Sequence, residues 1–377
     1  MALYNRQGNE IDSPSSLNNR YGDIINPLAL YDRYGSALGT SVYQASGLIS
    51  AINNVENTVN GYTGTKFAYL TDLHLSGNGQ LMLGKNTVNP YWSIAVLNEV
   101  CKRGLVEAVV IGGDLINAYS QISSDVIYES TLEDATGRIQ ALLAAIDTNG
   151  LPMYVVKGNH DLNTKYDDVM SNTDYPNKVN DTVWQSLTEP YATNAVYNSE
   201  DKSGYLYADL SNNVRLCVWN QYTGDCIDST GSDGDGTSNT ESYWMRDTAY
   251  EDGKICVTIY HNPESYATNE GMYTRYFVDG GTYGGKTWTG EQKAFVINSH
   301  NHADNLSYLF EGVMTQNVPQ FNVDRAFAVT ESTASNVTID SGNDRACVSI
   351  FTIDTVNDIV YETRIGRGES RQASYGA

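Results

Sequence analysis

Basic residues are scarce in this chain. Its 377 residues include 23 Lys and Arg against 45 Asp and Glu, which gives a formal net charge of −22. Such an excess of negative charge repels a polyanion over most of the surface. Nucleic acid is therefore a disfavoured partner, although the charge balance leaves room for a locally basic groove.

Cysteine and long apolar runs are also scarce. Three of the five cysteines, Cys217, Cys256 and Cys347, lie in apolar strand-like runs, which favours buried free thiols over a disulfide framework. No stretch approaches the roughly 18 consecutive apolar residues of a membrane span, and residues 1–17 lack the apolar core of a signal peptide. We expect a soluble protein without a cleavable signal, located in the cytoplasm, on a virion or outside the cell.

Histidine is rare, and every copy lies in a short motif that also contains Asp or Asn. The motifs are, in chain order, Asp72-x-His74, Gly113-Asp114, Gly158-Asn159-His160-Asp161, His261-Asn262-Pro263 and His300-Asn301-His302. Imidazoles, carboxylates and one amide are ligands that suit divalent cations of hard to borderline character. The set therefore predicts a site for two metal ions.

The first three motifs each follow an apolar run that reads as a strand, at residues 67–70, 108–111 and 153–156. Helical periodicity separates these strands, from about Pro90 to Gly104 and from Leu132 to Gly150. Open α/β sheets bind their ligands at the carboxyl ends of strands, so the motifs are expected to converge. The second half of the chain is richer in strands. Together the halves predict an α/β fold, a four-layer sandwich of two mixed β-sheets flanked by helices, rather than one doubly wound sheet.

Three segments follow from the pattern. Residues 1–60 form a leader in which apolar residues from Ala45 to Val59 step by three and four, which predicts a helix. That helix either packs on the main domain or serves attachment or homo-oligomerisation through residues 45–59. Residues 61–365 form the catalytic domain, and residues 366–377 are expected to be a loosely ordered tail. The Gly- and Asp-rich run over 224–240 predicts a solvated loop whose Asp228, Asp233 and Asp235 do not match an EF-hand.

The motifs resemble the pattern of the calcineurin-like metallophosphoesterases: D-x-H, G-D, G-N-H-[DE], H and G-H-x-H in that order. The resemblance covers residues 66–303, and every ligand position is filled. One departure is Ser299, where the family usually has glycine. The resemblance implies the same four-layer fold and a metal-dependent phosphoester hydrolase.

Carried over residue by residue, the resemblance implies that Asp72, His74 and His302 hold one metal. Asn159, His261 and His300 would hold the other, with Asp114 as the bridge. Water between two cations about 3.5 to 4 Å apart becomes a hydroxide nucleophile near neutral pH. His160 would stabilise or protonate the leaving oxygen, and Asp161 would support the loop. The ligand types suit Mn, Fe, Zn or Co alike.

The substrate is less sharply defined than the metals. Two residues set this chain apart from the purple acid phosphatases: His74 in the first motif and Asn117 after the second. The Gly113-Asp114 motif also lacks the Arg that follows it in the protein serine/threonine phosphatases. The phosphodiesterase-like branch remains, which favours a small-molecule or cell-envelope phosphodiester. Asn117 and Tyr119 are candidate substrate contacts, and the loops over 162–204 and 264–292, with Tyr266, Tyr273 and Tyr283, are candidates for recognition.

Two other functions stay open. A nuclease of the same superfamily is the alternative enzyme, although the acidic balance argues against it. A structural or attachment protein of a virion or cell surface that carries a phosphoesterase domain is the alternative of another class. The leader helix and a surface rich in Asn, Ser, Thr and Tyr motivate it.

Overall fold

The structure is a computed structural model that contains both helices and strands. It describes residues 3–4, 10–11, 29–31, 37–40, 46–75, 90–117, 119–123, 126–163, 177–200, 202–222, 240–263, 269–309, 316, 318–326, 329–330, 338–339 and 346–376. Asp228, Asp233, Asp235 and Tyr266 lie outside these residues, and so do parts of the loops named above.

The strands are, in chain order, β1 (Leu3–Tyr4), β2 (Glu10–Ile11), β3 (Ala29–Tyr31), β4 (Ala37–Thr40), β5 (Thr65–Leu70), β6 (Ala108–Ile111), β7 (Tyr119–Ser123), β8 (Val126–Glu129), β9 (Met153–Val155), β10 (Val196–Tyr197), β11 (Leu206–Asp209), β12 (Val214–Val218), β13 (Ile255–Ile259), β14 (Gly281–Tyr283), β15 (Lys286–Trp288), β16 (Lys293–Asn298), β17 (Asn305–Tyr308), β18 (Pro319–Asn322), β19 (Val329–Thr330), β20 (Thr338–Ile339), β21 (Cys347–Asp354), β22 (Ile359–Gly366) and β23 (Arg371–Ser374). The α-helices are α1 (Ser46–Gly61), α2 (Tyr91–Lys102), α3 (Leu132–Ala145), α4 (Asp181–Thr188), α5 (Thr240–Trp244) and α6 (Asn269–Asp279). Two 3₁₀ turns cover His160–Leu162 and Glu189–Tyr191, and a π-helical turn covers Met245–Ala249.

Two large mixed sheets form the framework. The first has the order β23-β22-β21-β5-β6-β9, in which β5, β6 and β9 are parallel and the other neighbours antiparallel. The second has the order β10-β11-β12-β13-β16-β18-β17, with β12, β13, β16 and β18 parallel. The remaining strands form two-stranded hairpins. The parallel strands at the centre of each sheet are apolar and buried, as strands covered on both faces are.

The layers are visible in three apolar cores. One core packs α1, α2 and α3 on the outer face of the first sheet, through residues such as Ile94 and Leu142. A second core lies between the two sheets, where Phe67 and Phe351 meet Leu216 and Ile297. The third covers the outer face of the second sheet with α6 and the π-helical turn. The fold is thus helices, sheet, sheet and helices, which confirms the predicted four-layer sandwich.

Local sequence explains where the helices begin and end. Thr131 precedes α3, and its hydroxyl accepts a hydrogen bond from the Asp134 N–H at 3.1 Å. Glu133 and Asp134 in the first turn complement the helix dipole. Helix α2 ends where Gly104 takes a left-handed φ of 67°.

The leader helix packs on the catalytic body. The predicted helix corresponds to α1, whose Ile52 and Val59 are buried in the first core, with Val55 partly buried against it. The side of α1 that carries the apolar repeat therefore contacts its own chain. This packing favours the first of the two alternatives for the helix, and homo-oligomerisation through residues 45–59 stays the other alternative.

The end of the chain differs from the expected loose tail. Residues Arg371–Ser374 form β23, which pairs antiparallel with β22, and Ala373 and Tyr375 are buried. The Tyr375 hydroxyl donates to the Asp354 carbonyl oxygen at 3.0 Å. The segment looks unstructured because its other residues are polar, but an edge strand needs only one apolar face.

Two further expectations concern cysteines and membranes. Cys101, Cys217, Cys256 and Cys347 are free and buried, as predicted for thiols in apolar runs. None of the helices in the described part of the chain is long and apolar enough to cross a membrane.

Candidate metal centre

The first two motifs lie on loops that continue the pairing of their strands. Beyond β5 and β6, the Asp72 N–H donates to the Gly113 carbonyl at 3.0 Å, and the His74 N–H donates to the Asp114 carbonyl at 2.9 Å. A further bridge joins Leu75 and Ile116. The two loops are therefore fixed against each other, and Asp72, His74 and Asp114 keep the spacing of the sheet.

The backbone of these loops is unusual. Among the described residues, nine non-glycine residues have a positive φ, and five of them are predicted ligands: Asp72 (51°), His74 (46°), Asp114 (52°), His300 (69°) and His302 (51°). Left-handed backbone is disfavoured for residues other than glycine and concentrates at functional sites. The conformation turns consecutive side chains towards one place at the strand ends.

Two glycines make room for this convergence. Gly113 has a φ of 101°, and a Cβ built on it would lie 2.6 Å from Nδ1 of His261. A Cβ on Gly158 would collide with the backbone and carboxylate of Asp114. The glycines of the second and third motifs therefore let the loops after β6 and β9 and the His261 ring approach one another closely.

Asp72, His74 and His302 form the first group of potential ligands. Their ligand atoms all lie within 4.8 Å of one another. The Nε2 atoms of His74 and His302 are 3.1 Å apart, and Oδ1 of Asp72 lies 3.2 Å from Nε2 of His302. The loop after β5 and the loop after β16 thus bring these three predicted residues together.

Asp114, His261 and His300 form the second group, with the same 4.8 Å limit. Nε2 of His261 lies 3.2 Å from Oδ2 of Asp114, and Nδ1 of His300 lies 3.0 Å from Oδ1 of Asn159. The amide of the third motif thus joins this group. Oδ2 of Asp114 is also 3.4 Å from Nε2 of His74, so one carboxylate oxygen faces both groups.

His160 and Asp161 lie beside the groups. The His160 N–H donates to Oδ1 of Asp114 at 2.8 Å, and its ring packs edge-on against His74 with centroids 4.6 Å apart. A ring nitrogen of His160 is also within 4.8 Å of ligand atoms of His74 and Asp114, so proximity alone does not distinguish it from a ligand. The Asp161 carboxylate accepts from the N–H groups of Leu115 at 2.8 Å and Gly158 at 2.9 Å, which ties the second and third motifs together.

The electrostatics of the site favour cations. Burial would raise the pKa of Asp72, but the neighbouring imidazoles of His302 and His74 hold that pKa well below its usual range. Burial would also raise the pKa of Asp114, but the charges of His261 and His160 lower that pKa below its usual range. Both carboxylates are thus ionised near neutral pH.

The imidazoles and Asp161 respond to the same neighbours. Burial lowers the pKa of His160 to about 3. Burial acts to lower the pKa of His261 too, but the adjacent Asp114 carboxylate raises it to about 9. Burial and then the charge of Asp114 raise the pKa of Asp161 to about 7. The charges of the site are strongly interdependent, as expected where ionisable groups share a buried space.

The residues fit a pair of divalent cations. Within the described part of the chain, Oδ1 of Asp72 and Nε2 of His261 are buried atoms that make no hydrogen bond, although ligand-type atoms lie 3.2 Å away. Buried polar atoms are otherwise paired in folded proteins. Two imidazole nitrogens at 3.1 Å facing an ionised carboxylate are an arrangement that a cation between them would satisfy.

The predicted substrate contact Asn117 is buried, like most of the candidate metal ligands. Asn117 is 1% exposed, its N–H donates to the Leu75 carbonyl, and a substrate contact by it remains a prediction. The side chain of Tyr119 lies outside the described residues. Tyr273 is buried in the third core, stacked on Trp219 and in edge contact with Tyr283, which is ordinary packing.

Three residues that hold the loops were not predicted from the sequence. Arg138 on α3 donates to the carbonyl oxygens of Leu75 at 2.8 Å and Asn117 at 3.2 Å, beyond the first and second motifs. Gln221 binds both backbone polar groups of Asn262, at 2.7 and 3.1 Å. Asp304 accepts from Arg364 at 2.7 Å, next to the loop of His300 and His302. Nothing in the local sequence of these residues signals such contacts.

Three solved structures are similar to this chain at low sequence identity. A dimetal phosphatase from Danio rerio has a TM-score of 0.48 and 10% identity, covering 83% of this chain and 100% of its own. GAP50, the anchor in the inner membrane complex of Plasmodium, has a TM-score of 0.37 and 12% identity, covering 83% and 89%. The protein TT1561 of Thermus thermophilus has a TM-score of 0.32 and 10% identity, covering 70% and 91%.

The family of the chain follows from its amino-acid sequence. No curated protein is similar enough to this chain to count as a match. The sequence profile described as calcineurin-like phosphoesterase matches residues 65–304, more than half of the chain and the region that holds all five motifs. The resemblance carried by the motifs is thereby confirmed. The chain belongs to the calcineurin-like phosphoesterase family, and it is a metal-dependent phosphoester hydrolase.

Proposed function

We propose that this protein hydrolyses a phosphodiester, of a small molecule or of the cell envelope, with two divalent cations. Asp72, His74 and His302 would hold one cation. Asn159, His261 and His300 would hold the other, and Asp114 would contact both. The observation that carries the proposal is the grouping of these side chains, from five separate loops, with ligand atoms within 4.8 Å in each histidine and carboxylate group.

The orientation of Asp114 supports its role as the bridge. Its Oδ2 faces His74 on one side and His261 on the other, at 3.4 and 3.2 Å. Its Oδ1 is held by the His160 N–H. The carboxylate is thus fixed by one oxygen and presents the other to both groups.

His160 is the proposed residue for the leaving group. When bound, two such cations supply a nucleophile from water near neutral pH and stabilise charge on the phosphoryl oxygens. The ring of His160 lies against His74 at the side of the site, and it would donate a hydrogen bond or a proton to the departing oxygen. Asn117 is the proposed substrate contact nearest the bridge.

The residue after Asp114 supports a diester over a monoester. A monoester carries about two negative charges near neutral pH, whereas a diester carries one. The Gly113-Asp114 motif lacks the arginine that follows it in the protein serine/threonine phosphatases, and the next residue, Leu115, is fully buried in the first core. The motif therefore supplies no guanidinium to balance a second charge.

The donor set supports several metals. The predicted ligands are imidazoles, carboxylates and one amide, which suit Mn, Fe or Zn, and none of them is a thiolate. We propose that manganese reconstitutes activity, with iron and zinc as the alternatives to compare.

The test is hydrolysis of a chromogenic phosphodiester and the matching monoester by chelator-treated, manganese-reconstituted protein. Asp114→Asn is the matched variant, because it keeps the side-chain shape but removes the bridging charge. We expect turnover of the diester that exceeds turnover of the monoester and falls at least about 100-fold in Asp114→Asn, as for other residues of a metal site.

Other outcomes favour other functions. Preferred turnover of the monoester would contradict the diester proposal but not the metal centre. Faster cleavage of single-stranded DNA than of the small diester would favour the nuclease. No turnover of either ester by protein with two bound metals would favour the attachment protein that carries a phosphoesterase domain.

A further inference from the structure

Ser299 is a polar residue of the site that the metal-binding pattern does not include. It follows β16 and directly precedes His300, and its side chain is fully buried. Its Oγ lies 3.1 Å from the Gly112 carbonyl oxygen and 3.0 Å from Nδ1 of His261. One hydroxyl thus contacts the segments of the second and fourth motifs from within the fifth.

These contacts concern the side of His261 that faces away from the candidate cation. Nε2 of His261 faces Asp114, so metal binding requires a lone pair on Nε2 and a proton on Nδ1. The Gly112 carbonyl, 2.8 Å from Nδ1, can only accept a hydrogen bond. The Ser299 hydroxyl can donate to the same carbonyl while its lone pair faces Nδ1–H. All three groups are compatible with one tautomer of His261.

The surroundings leave the serine little freedom. The Ser299 N–H donates to the His261 carbonyl at 2.9 Å, which fixes the backbone of both residues. Gly112 donates to the Leu70 carbonyl at 2.8 Å, and a side chain at Gly112 would collide with Tyr69 and Thr71. The carbonyl that Ser299 and His261 share is therefore held in place from the opposite side.

We propose that Ser299 is a positioning residue for the second cation. Its hydroxyl holds the His261 imidazole in the tautomer and orientation that present Nε2 to the cation between His261, His300, Asn159 and Asp114. This inference rests on the proposed metal centre. Glycine, the residue usual at this position in the family pattern, has no hydroxyl, so the hydrogen bond is a feature that this chain adds to the pattern.

Hydrogen-bond partners of ligating histidines fix the ring orientation and raise ligand basicity, and their removal typically costs about 10–100-fold in metal affinity. The effect of removing the Ser299 hydroxyl is expected on one metal only. Ser299 makes no contact with His74 or His302 in the described hydrogen bonds, so the cation at Asp72, His74 and His302 should keep its affinity.

The test is a manganese titration of the chelator-treated full chain, followed by equilibrium dialysis and by electron paramagnetic resonance. Wild type is compared with Ser299→Ala, Ser299→Gly and Ser299→Thr. Ser349→Ala is the control, because Ser349 is also fully buried and donates to a carboxylate, that of Glu362, away from the ligands. Thermal unfolding of each metal-free variant measures effects on the fold alone.

We expect wild type to bind two Mn²⁺ per chain. In Ser299→Ala and Ser299→Gly the affinity of one binding step should fall about 10–100-fold. The signal of the spin-coupled manganese pair should then appear only at higher manganese concentrations. Ser299→Thr, which keeps a hydroxyl, should restore the coupled signal, and Ser349→Ala should bind like wild type.

Each contrary result has a separate meaning. If Ser299→Ala bound both Mn²⁺ ions with the affinities of wild type, the proposed role of Ser299 would be overturned and the proposed metal centre would be unaffected. The role of Ser299 would also be overturned if Ser299→Ala lowered the unfolding temperature of the metal-free protein as much as that of the metal-loaded protein. A purely structural residue would have equal effects on both. Fewer than two Mn²⁺ on wild type would instead contradict the proposed metal centre.

Discussion

At the scale of single residues, the site is set by backbone conformation as much as by side-chain type. Asp72, His74, Asp114, His300 and His302 all have a left-handed φ. Such a conformation costs about 1–3 kcal/mol for each non-glycine residue, and surrounding structure must hold it. The hydrogen bonds between the first two loops, from Asp72 to Gly113 and from His74 to Asp114, provide that support. The backbone of the first two loops therefore contributes directly to the geometry of the site.

The role of His160 gives a prediction at this scale. His160→Gln keeps the backbone N–H that holds Asp114 and removes only the imidazole. We expect the rate constant for the diester to fall about 10²–10⁴-fold, the range for a side chain positioned to donate to a reacting oxygen, while two metals stay bound. Steady-state kinetics and metal counting on the same sample measure both quantities.

The matched control is His302→Gln, which should lose a metal as well as activity. If His160→Gln also lost a metal, His160 would be a ligand rather than the residue for the leaving group. Unchanged turnover in His160→Gln with both metals present would exclude it from the chemistry.

The residues of the site differ in how far the sequence predicts them. The candidate ligands stand out because each follows an apolar strand within a short polar motif, and this is local information. Ser299, Gln221 and Arg138 act through partners that are 187, 41 and 63 positions away in the chain, respectively at Gly112, Asn262 and Leu75. Such contacts depend on how the two sheets stack, which periodicity does not specify.

At the scale of secondary structure, the predicted strands and helices of the first half agree with the structure. Strands β5, β6 and β9 end where the motifs begin, and α2 and α3 occupy the predicted intervals. Apolar periodicity and cap residues carry this information. Periodicity and caps did not predict the order of the strands or the final strand β23. A polar edge strand such as β23 is stabilised by its pairing with β22 rather than by its own apolar pattern.

Strands β22 and β23 contain a buried group of charges. Glu362 accepts from Arg364 at 2.6 Å and from Arg371 at 2.5 Å, and Arg364 also donates to Asp304. Burial would raise the pKa of Glu362, but Arg364 and Arg371 lower it below its usual value. A carboxyl with a lowered folded-state pKa stabilises the fold above its unfolded-state pKa, and that stability is lost as pH falls through the folded-state pKa.

We therefore expect Glu362→Gln to reduce the free energy of unfolding by about 3–5 kcal/mol at pH 7, because it leaves buried guanidinium groups without their charge partner. The difference from wild type should shrink as the pH falls from about 5 towards 3. Urea unfolding of the metal-free protein at a series of pH values measures it.

Glu251→Gln is the control for this measurement. Glu251 pairs with Arg215, but its side chain is half exposed, so its loss should cost no more than about 1 kcal/mol. Equal effects of the two variants, or a Glu362→Gln effect that does not change with pH, would contradict the role given to the buried charges.

At the scale of the whole molecule, both sheets are needed to build one site. The first sheet supplies the loops of Asp72, Asp114 and Asn159, and the second supplies those of His261 and His300. The core between the sheets joins them through Phe67, Phe351, Leu216 and Ile297. The geometry of the metals thus depends on the packing of the sandwich, and helix α1 belongs to the same body.

The packing of α1 gives a prediction for the assembled protein. Ile52 is buried in the first core, so Ile52→Ala should reduce the free energy of unfolding by about 2–5 kcal/mol. The control Asn57→Ala changes an exposed residue of the same helix and should cost less than about 0.5 kcal/mol. Light scattering should give the mass of one chain for all three proteins. A trimer that Ile52→Ala dissociates would contradict this account and favour oligomerisation through residues 45–59.

The central claim is that one carboxylate, Asp114, joins two metal sites in this chain. Anomalous diffraction from crystals soaked in Mn²⁺ tests it most directly, because it locates each cation independently of activity. The account predicts two anomalous peaks about 3.5–4 Å apart, one beside Asp72, His74 and His302, the other beside Asn159, His261 and His300, and both within bonding distance of Asp114. A single peak, or two peaks of which only one contacts Asp114, would contradict it.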